Sequence, residues 1–397
     1  MKQARPRTAL YGIVAAVFVS GTGIGSILPI LPLYLRERGA SYSLVGVIVA
    51  ASLIAQAIGQ WPAGWLADRF GRRESMVAGL LVAAATSLVF VLPLSIGWLV
   101  TLRFLQGLGF ATATPAERAV VADVVPSDEL GVAYAWLSGA RQSGLIAGPA
   151  IGGLLAVFGR STVFVATGIA LAAAALVAAA ALGPTARPTS RAGAGALVRQ
   201  AWSPRARRAL LAIVVLTIGI GVLIGVYDVI WSLYMRTLGA SDFVIGLSFS
   251  LFALPLVIAT PFAGWASDRW DRRWLAFGSL ALTSLIGPIY PFIGSIPLVM
   301  TLGVLEATLW SFSEPAMNAF LMEAVRERRG EAQGLVGTAL NGAMAVGSLS
   351  AGALFAIGPG VPFFVAAAAG IVFAFGAVPA LRAAGGRLSA EPEVVSA

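Results

Sequence analysis

The sequence contains no cysteine and no histidine. The first absence excludes disulfides and thiol chemistry. The second excludes imidazole acid–base catalysis and imidazole proton relays, and together they exclude the usual zinc sites. Charge is also scarce, at 11% of the 397 residues, where a soluble domain carries about a quarter. There is no metal-ligand cluster and no phosphate-cradling Gly-Lys-Ser/Thr loop, so neither a metal cofactor nor a built-in ATP motor is expected. What the chain has in excess is apolar residues, 58% of the total. Its formal charge of +9 would suggest nucleic acid, but the arginines sit mostly between apolar runs, where basic residues set orientation in a bilayer. No nucleic-acid partner is expected.

Twelve apolar stretches, near 9–34, 44–66, 75–94, 97–121, 132–157, 161–183, 209–234, 243–266, 274–294, 297–322, 332–357 and 360–381, are each long enough to cross the bilayer as a helix. They take up roughly three quarters of the chain, which leaves no room for a sizeable water-soluble domain. The first stretch follows Lys2, Arg5 and Arg7 and is too long for a signal-peptide core, so it reads as a retained helix. One side of the membrane collects twenty of the 27 basic residues: the N-terminal tail, the loops at 69–73, 269–273 and 326–329, the middle loop and Arg382/Arg387. The other side has four, Arg36, Arg38, Arg160 and Arg236. This bias places both termini in the cytoplasm of a multi-pass protein of the cell (inner, cytoplasmic) membrane.

The stretches fall into two groups of six. Residues 1–183 form an N-terminal bundle, 184–208 a cytoplasmic linker, 209–382 a C-terminal bundle and 383–397 a cytoplasmic tail. The two bundles repeat at a constant shift of 200. Tyr34 and Gly39-Ala40-Ser41 match Tyr234 and Gly239-Ala240-Ser241, and Pro115 matches Pro315. Gly64-Trp65, Asp68-Arg69 and Arg72-Arg73 match Gly264-Trp265, Asp268-Arg269 and Arg272-Arg273, and Asp123 matches Glu323. With six helices between copies, both halves face the same way and are expected to be related by an axis along the membrane normal. The fold class is all-α: twelve transmembrane helices in two pseudo-symmetric six-helix bundles.

The loop Gly64-Trp65-Leu66-Ala67-Asp68-Arg69-Phe70-Gly71-Arg72-Arg73 resembles the signature loop of the major facilitator superfamily. Arg103-Phe104-Leu105-Gln106-Gly107 is similar to that family's helix-4 motif. Gly144 followed by Gly148-Pro149-Ala150-Ile151-Gly152-Gly153 resembles the glycine-proline motif of its antiporters, although Ala135 stands where an earlier glycine is expected. Physically, one carboxylate among three guanidiniums at the cytoplasmic face can clasp the halves and release when they rock apart. A cytoplasmic gate is therefore expected from Gly64, Asp68, Arg69, Gly71, Arg72, Arg73 and Asp123, with Asp268, Arg269, Arg272 and Arg273 in the second half. A plain positive-inside anchor is the alternative. Asp271 replaces Gly71 in the second copy, so a different turn is expected there. Gly144, Gly148, Gly152 and Gly153 allow close helix packing, and Pro149 favours a bend. Pro29 and Pro32, with Gly21, Gly23 and Gly25, make the first helix another place to flex.

Ionisable groups inside spans are costly and usually functional. Arg103, Gln106, Gly107, Thr114 and Glu117 fall within about 60° of one another on a helical wheel, a polar stripe on span four. Arg141 lies in span five, Asp228 in span seven beside Tyr227, Trp231 and Ser232, and Glu306 and Glu314 in span ten with Trp310 between them on a shared face. Glu117 and Arg118 also lie close enough to the cytoplasmic end to be interfacial groups. The resemblance places helices 1, 4, 7 and 10 around a central cavity. The first half carries the basic groups and the second half the acids, so unlike charges can meet across that cavity. A carboxyl group freed into a low-dielectric cavity can take up a proton near neutral pH. Asp228 and Glu314 are expected as the main proton carriers, with Glu306 next and Arg141 or Arg103 as counter-charge. The substrate cavity is expected to use Arg103, Gln106, Thr114, Glu117, Arg141, Trp231 and Trp310.

The resemblance implies a secondary transporter, and the cavity acids and apolar walls suggest proton-coupled efflux of small lipophilic compounds, cationic ones included, by alternating access. Sugar or metabolite efflux, or proton-coupled uptake, is the competing reading, and lipid or lysolipid carriage a third. A non-transporting receptor would not need buried carboxylates in a duplicated frame, and nothing points to an enzyme. The expected partners are a small-molecule substrate, protons and the lipid bilayer, with a proton gradient in place of a cofactor and the chain acting as a monomer.

Overall fold

The computed structural model describes residues 6–126, 128–182, 202–325 and 328–385. Most of the expected linker and tail lie outside these residues. The described chain contains helices and turns and no strand, as a bilayer requires when every backbone polar group must be satisfied within the segment.

The first half holds α1 (Pro6–Ile27), α2 (Leu31–Glu37), α3 (Tyr42–Phe70), α4 (Arg72–Val89), α5 (Ile96–Val124), α6 (Leu130–Leu155) and α7 (Arg160–Ala181). The second holds α8 (Pro204–Thr237), α9 (Asp242–Ile258), α10 (Thr260–Arg269), α11 (Arg272–Ile286), α12 (Ile296–Trp310), α13 (Ser313–Ala324), α14 (Arg329–Ile357) and α15 (Val361–Ala383). Joined across short breaks, α1–α2, α9–α10 and α12–α13 each make one rod, giving twelve rods in the order expected from the apolar stretches. Nine described helices are long and apolar enough to cross a membrane, and the α9–α10 pair, bent by 43°, makes a tenth. The remaining two rods are α4, which opens on Arg72, Arg73 and Glu74, and α6, which is diluted by glycine, serine, Arg141 and Gln142. The second bundle starts earlier than expected: Ser203 caps α8 by accepting the Ala206 N–H, so residues 204–208 are helix rather than linker.

The shift of 200 reappears as geometry. Gly39 and Gly239 both take φ 84°, and Ser41 and Ser241 both cap the next helix, accepting from Leu44 and Val244 at 3.3 Å. The Tyr34 hydroxyl donates to the Phe90 carbonyl at 3.2 Å, and the Tyr234 hydroxyl to the Tyr290 carbonyl at 2.6 Å. The two signature turns differ as their residues dictate. Gly71 adopts φ 107°, a region that favours glycine, whereas Asp271 stays extended and accepts the Arg273 N–H with its side chain.

Because successive rods alternate in direction, both described chain ends and the even-numbered connections fall at one end of the bundle, the termini end; the odd-numbered turns fall at the far end. The halves meet through two seams, α3 against α14 and α6 against α9. The shift of 200 exchanges one seam with the other, so the interface is two-fold in character. Close packing across the seams occurs toward the far end. A Cβ on Gly153 would lie 2.6 Å from the Asp242 carbonyl, and one on Gly352 would lie 3.1 Å from Ser43 Cα. The buried clusters divide in the same way. Far-end residues of the first half, such as Ile30, Leu35, Ile48 and Phe164, share one cluster with the second half, while its termini-end residues, such as Met76, Leu80 and Leu171, form their own. Large apolar side chains such as Ile169, Leu176, Leu285 and Phe375 remain exposed along the rods, as lipid-facing surfaces do.

Candidate functional site

Arg103 on α5 and Asp228 on α8, in opposite halves, lie within Coulombic reach of each other without forming an ion pair. Both are half-buried. Arg103 is held by Gln106, whose amide oxygen accepts from Nη1, and Gln106 in turn donates to Ser87 Oγ of α4 at 2.7 Å. The Arg103 Nε is buried and has no hydrogen-bond partner. Of the two arginines expected as counter-charge, Arg103 is the one that stands opposite Asp228.

Arg141 is engaged elsewhere. It bonds Glu117 within its own half, tying α6 to α5, and Glu117 is buried. Glu117 is thus buried rather than interfacial, and in this conformation Arg141 bonds Glu117 rather than Asp228. The polar stripe on α5 also divides. Gln106 and Glu117 turn into neighbouring helices, while Arg103 and Thr114 are half-buried. Gly107 brings α5 against α3, where a Cβ would meet Ala55 Cβ at 2.8 Å.

Glu306 on α12 is fully buried. Its Oε2 accepts the Tyr290 hydroxyl at 2.5 Å, and its Oε1 has no hydrogen-bond partner. Tyr227 stands beside it. Trp231 packs edge-on against Tyr290 with centroids 5.1 Å apart, its Nε1 donating to Ser248 Oγ at 2.8 Å. The result is a carboxyl group in an aromatic wall. Glu314 is placed differently. The rod breaks after Trp310 and restarts at Ser313, leaving Glu314 exposed in the first turn of α13 while Ser313 is buried on Ser279 Oγ at 2.7 Å. Glu306 and Glu314 therefore stand in different surroundings, the one buried on Tyr290 and the other exposed. Trp310 lies between, half-buried and edge-on to Phe252 at 6.0 Å.

At the termini end, Arg72 pairs with Asp123 at 2.5 Å and Arg73 donates to the Ala179 carbonyl at 2.6 Å. Arg272 bonds Glu323 at 3.0 Å and Asp268 at 3.1 Å, and Arg273 holds Asp271 at 2.6 Å. These four arginines pair within their own halves, not across them. Arg69 lies over Phe70 and Arg269 over Trp265. Gly64 and Asp68 fall outside the residues whose side chains are described.

The ionic clasp between the halves is at the far end. Arg160, at the start of α7, donates to Asp242 at the start of α9 through Nε (3.0 Å) and Nη2 (3.2 Å), and to Glu37 at 3.1 Å. Arg236 also bonds Asp242. Sequence reasoning missed this cluster. The available signal was four far-side arginines with Glu37 and Asp242 near them at the margins of the spans.

In α6, Gly144 and Gly148 face α1, where a Cβ on either would lie 2.6 Å from the carbonyls of Phe18 and Thr22 respectively. Gly152 packs on Ser26 of the same helix, and Gly153 on α9. The glycine-proline segment is thus packed on both sides, once within its half and once across.

The family model described as Major Facilitator Superfamily matches residues 13–231 and 210–395, nearly the whole chain. The Quinolone resistance protein NorA of Staphylococcus aureus is 25% identical over 88% of this chain and 90% of its own length. Multidrug resistance protein 2 of Bacillus subtilis is 37% identical over 42% of each chain. Among solved structures, the nucleoside transporter NupG superposes with TM-score 0.77 at 12% identity, covering 94% of this chain and 99% of that one. A D-xylose-proton symporter does so with TM-score 0.71 at 18% identity, covering 94% and 96%. At these identities the structures establish a common fold.

Proposed function

The chain belongs to the Major Facilitator Superfamily, and from that premise we propose that it exports small lipophilic cations in exchange for protons, with Asp228 and Glu306 as the proton carriers. The observation that carries this reading is that Arg103 of one half and Asp228 of the other, each half-buried within its own bundle, lie within Coulombic reach of each other. Besides Arg103, two things can neutralise a carboxylate so placed, a proton or a cationic guest, and those two exclude each other. That exclusion is what exchange requires. The aromatic wall of Tyr227, Trp231 and Tyr290 beside Glu306 suits the flat or alkyl surfaces of such guests. The names of the relatives, which refer to multidrug and quinolone resistance, support drug efflux.

With twenty basic residues on the termini side against four on the far side, the termini end faces the cytoplasm. The far-end clasp and both seams then close the outer side, and the conformation is open toward the cytoplasm, ready to load substrate. The domain reading is two six-helix bundles acting as a monomer, with the linker between them in the cytoplasm. The exposed Glu314 supports a role at the cytoplasmic approach, where it would draw cations inward. The proton gradient is an adequate source of work: one charge moved through the field is worth about 2.3 kcal/mol per 100 mV.

The test is flux in proteoliposomes with an imposed pH gradient, using lipophilic cations, neutral drugs and sugars. Cations should move opposite to protons, and Asp228→Asn should cut gradient-driven flux by at least about tenfold, the loss of one coupled charge. Sugar movement would establish the competing reading, and full proton-driven flux in Asp228→Asn would end the assignment of that residue.

A further inference from the structure

Between the bent α9–α10 rod and α12 lies a crevice of about 360 Å³, walled by Leu254, Pro255, Ile258 and Phe262 on one side and by Val304 and Thr308 on the other. Its size is that of a small-molecule site, for which about 300–1,000 Å³ is usual. The lining side chains are apolar apart from Thr308, and the Thr308 hydroxyl is spent on the Val304 carbonyl of its own helix at 2.8 Å. Nothing on these walls answers a polar guest.

The crevice opens away from the space between the halves. Val304 and Thr308 stand two residues before and two after Glu306, so both point about 160° away from it around the helix. Beside them Leu305 is 53% exposed, and across the crevice Ile258 and Phe262 are 61% and 65% exposed. The bilayer is the medium that meets this face. The first half has no matching construction. At the shift of 200, Phe104 and Leu108 stand where Val304 and Thr308 leave room, and α3 runs unbroken where α9 gives way to α10 with a bend of 43°.

Toward the termini end the same face of α10 changes character. Ile258, Phe262, Trp265 and Arg269 follow one another at spacings of four, three and four, which keeps them on one side of a helix. Trp265 and Trp270 are each at least half exposed, with rings 6.3 Å apart, as tryptophans at a membrane–water interface are. The exposed Arg269 holds its guanidinium 4.4 Å over the Trp265 ring. A guanidinium in that place matches a phosphate. Arg269 lies eleven residues beyond Ile258, about 16 Å along a helix, which is roughly half the thickness of the hydrocarbon core.

We propose that this face is a binding site for an anionic glycerophospholipid, with the phosphate at Arg269 and one acyl chain laid in the crevice. The apolar walls, the outward opening and the single basic group one monolayer depth away fit each part of such a molecule in turn. The site belongs to the second half alone and does not depend on what the protein transports.

The test uses the full chain, stripped of lipid in detergent and titrated with phosphatidylglycerol or phosphatidylcholine carrying the same two oleoyl chains. Native mass spectrometry counts the first lipid bound. Phosphatidylglycerol should bind about fivefold more tightly, the worth of one basic residue near a lipid headgroup. Arg269→Gln should bring phosphatidylglycerol down to the level of phosphatidylcholine and leave the latter unchanged. Val304→Phe, which restores the bulk that Phe104 has in the first half, should weaken both lipids by about tenfold, less than the burial of two methylene groups. If Val304→Phe does not fold, Ile258→Trp fills the crevice from its exposed side and is read the same way. Equal affinity for the two lipids in the parent, or a preference that survives Arg269→Gln, overturns the headgroup assignment. Undiminished binding in the crevice-filling variant overturns the acyl seat. Displacement of the first lipid, one for one, by tetraphenylphosphonium would make the crevice a site for transported cations and overturn the proposal.

Discussion

Glu117 is buried and its partner Arg141 half-buried, and such pairs respond unevenly to substitution. Removing one partner strands a charge and costs up to about 3 kcal/mol, whereas removing both is far milder. Glu117→Gln should therefore lower the unfolding temperature in detergent sharply, and Glu117→Gln with Arg141→Gln should recover most of the loss. Equal melting of both variants would show that the pair contributes little. Tyr290→Phe tests a different group: it removes the hydrogen bond that Glu306 Oε2 accepts and leaves the carboxyl group buried without it. A loss of about 1–3 kcal/mol is expected, together with a changed pH profile of transport, because the proton affinity of Glu306 would change with its partner. An unaltered pH profile would argue that Glu306 carries no proton. At this scale the sequence was informative wherever a charge interrupts an apolar run, which is why Arg103 and Asp228 stood out. Tyr290 and Ser250, which bonds across the α6–α9 seam, gave no such signal. Serines and tyrosines are ordinary in spans, and the partners of Ser250, Ile146 and Ala150, lie in the other half of the chain.

At the scale of the helix, the duplicated turns offer a matched pair of tests. Gly39 and Gly239 share φ 84°, and a Cβ at either would meet nothing within 4 Å. Alanine at each should cost only the backbone penalty, about 1 kcal/mol, and the two costs should agree in thermal unfolding. Gly148→Ala should behave differently, since its Cβ would press on the Thr22 carbonyl and Gly25 at the α1–α6 contact, and folded yield should fall. The existence, order and pairing of the rods were legible from hydropathy and the shift of 200. The breaks were not. Pro62, Pro115 and Pro149 lie inside continuous helices, while the α12–α13 break falls at Ser311 and Phe312, before Pro315. Proline alone does not decide where a rod breaks; the packing around it does. Burial is likewise set by packing, which is why Glu314 is exposed while Glu306, on the same rod, is fully buried.

For the whole molecule, the far-end clasp sets the balance between open sides. Arg160 and Asp242 keep part of their surface in solvent, so the pair is worth about 1 kcal/mol or less and is weakened by salt. Raising ionic strength should increase the far-end distance between spin labels on cysteines placed at Phe158 and Phe292, exposed residues of opposite halves. Asp242→Asn should remove most of that salt response, and exchanging the two charges should restore it. A salt response undiminished in Asp242→Asn would assign it to other groups. The two-bundle plan was readable because duplication leaves a fixed register, but which end is closed depends on pairs formed between residues of different halves, and those leave no mark in either half alone. The breaks, finally, were not copied along with the rest. In the second half the rods α9–α10 and α12–α13 are interrupted, whereas their counterparts α3 and α5 run unbroken through 29 residues each. The first half has an interruption of its own, between α1 and α2, where its counterpart α8 runs through 34 residues, so a guest lodged between the bundles would meet an interrupted rod on either side.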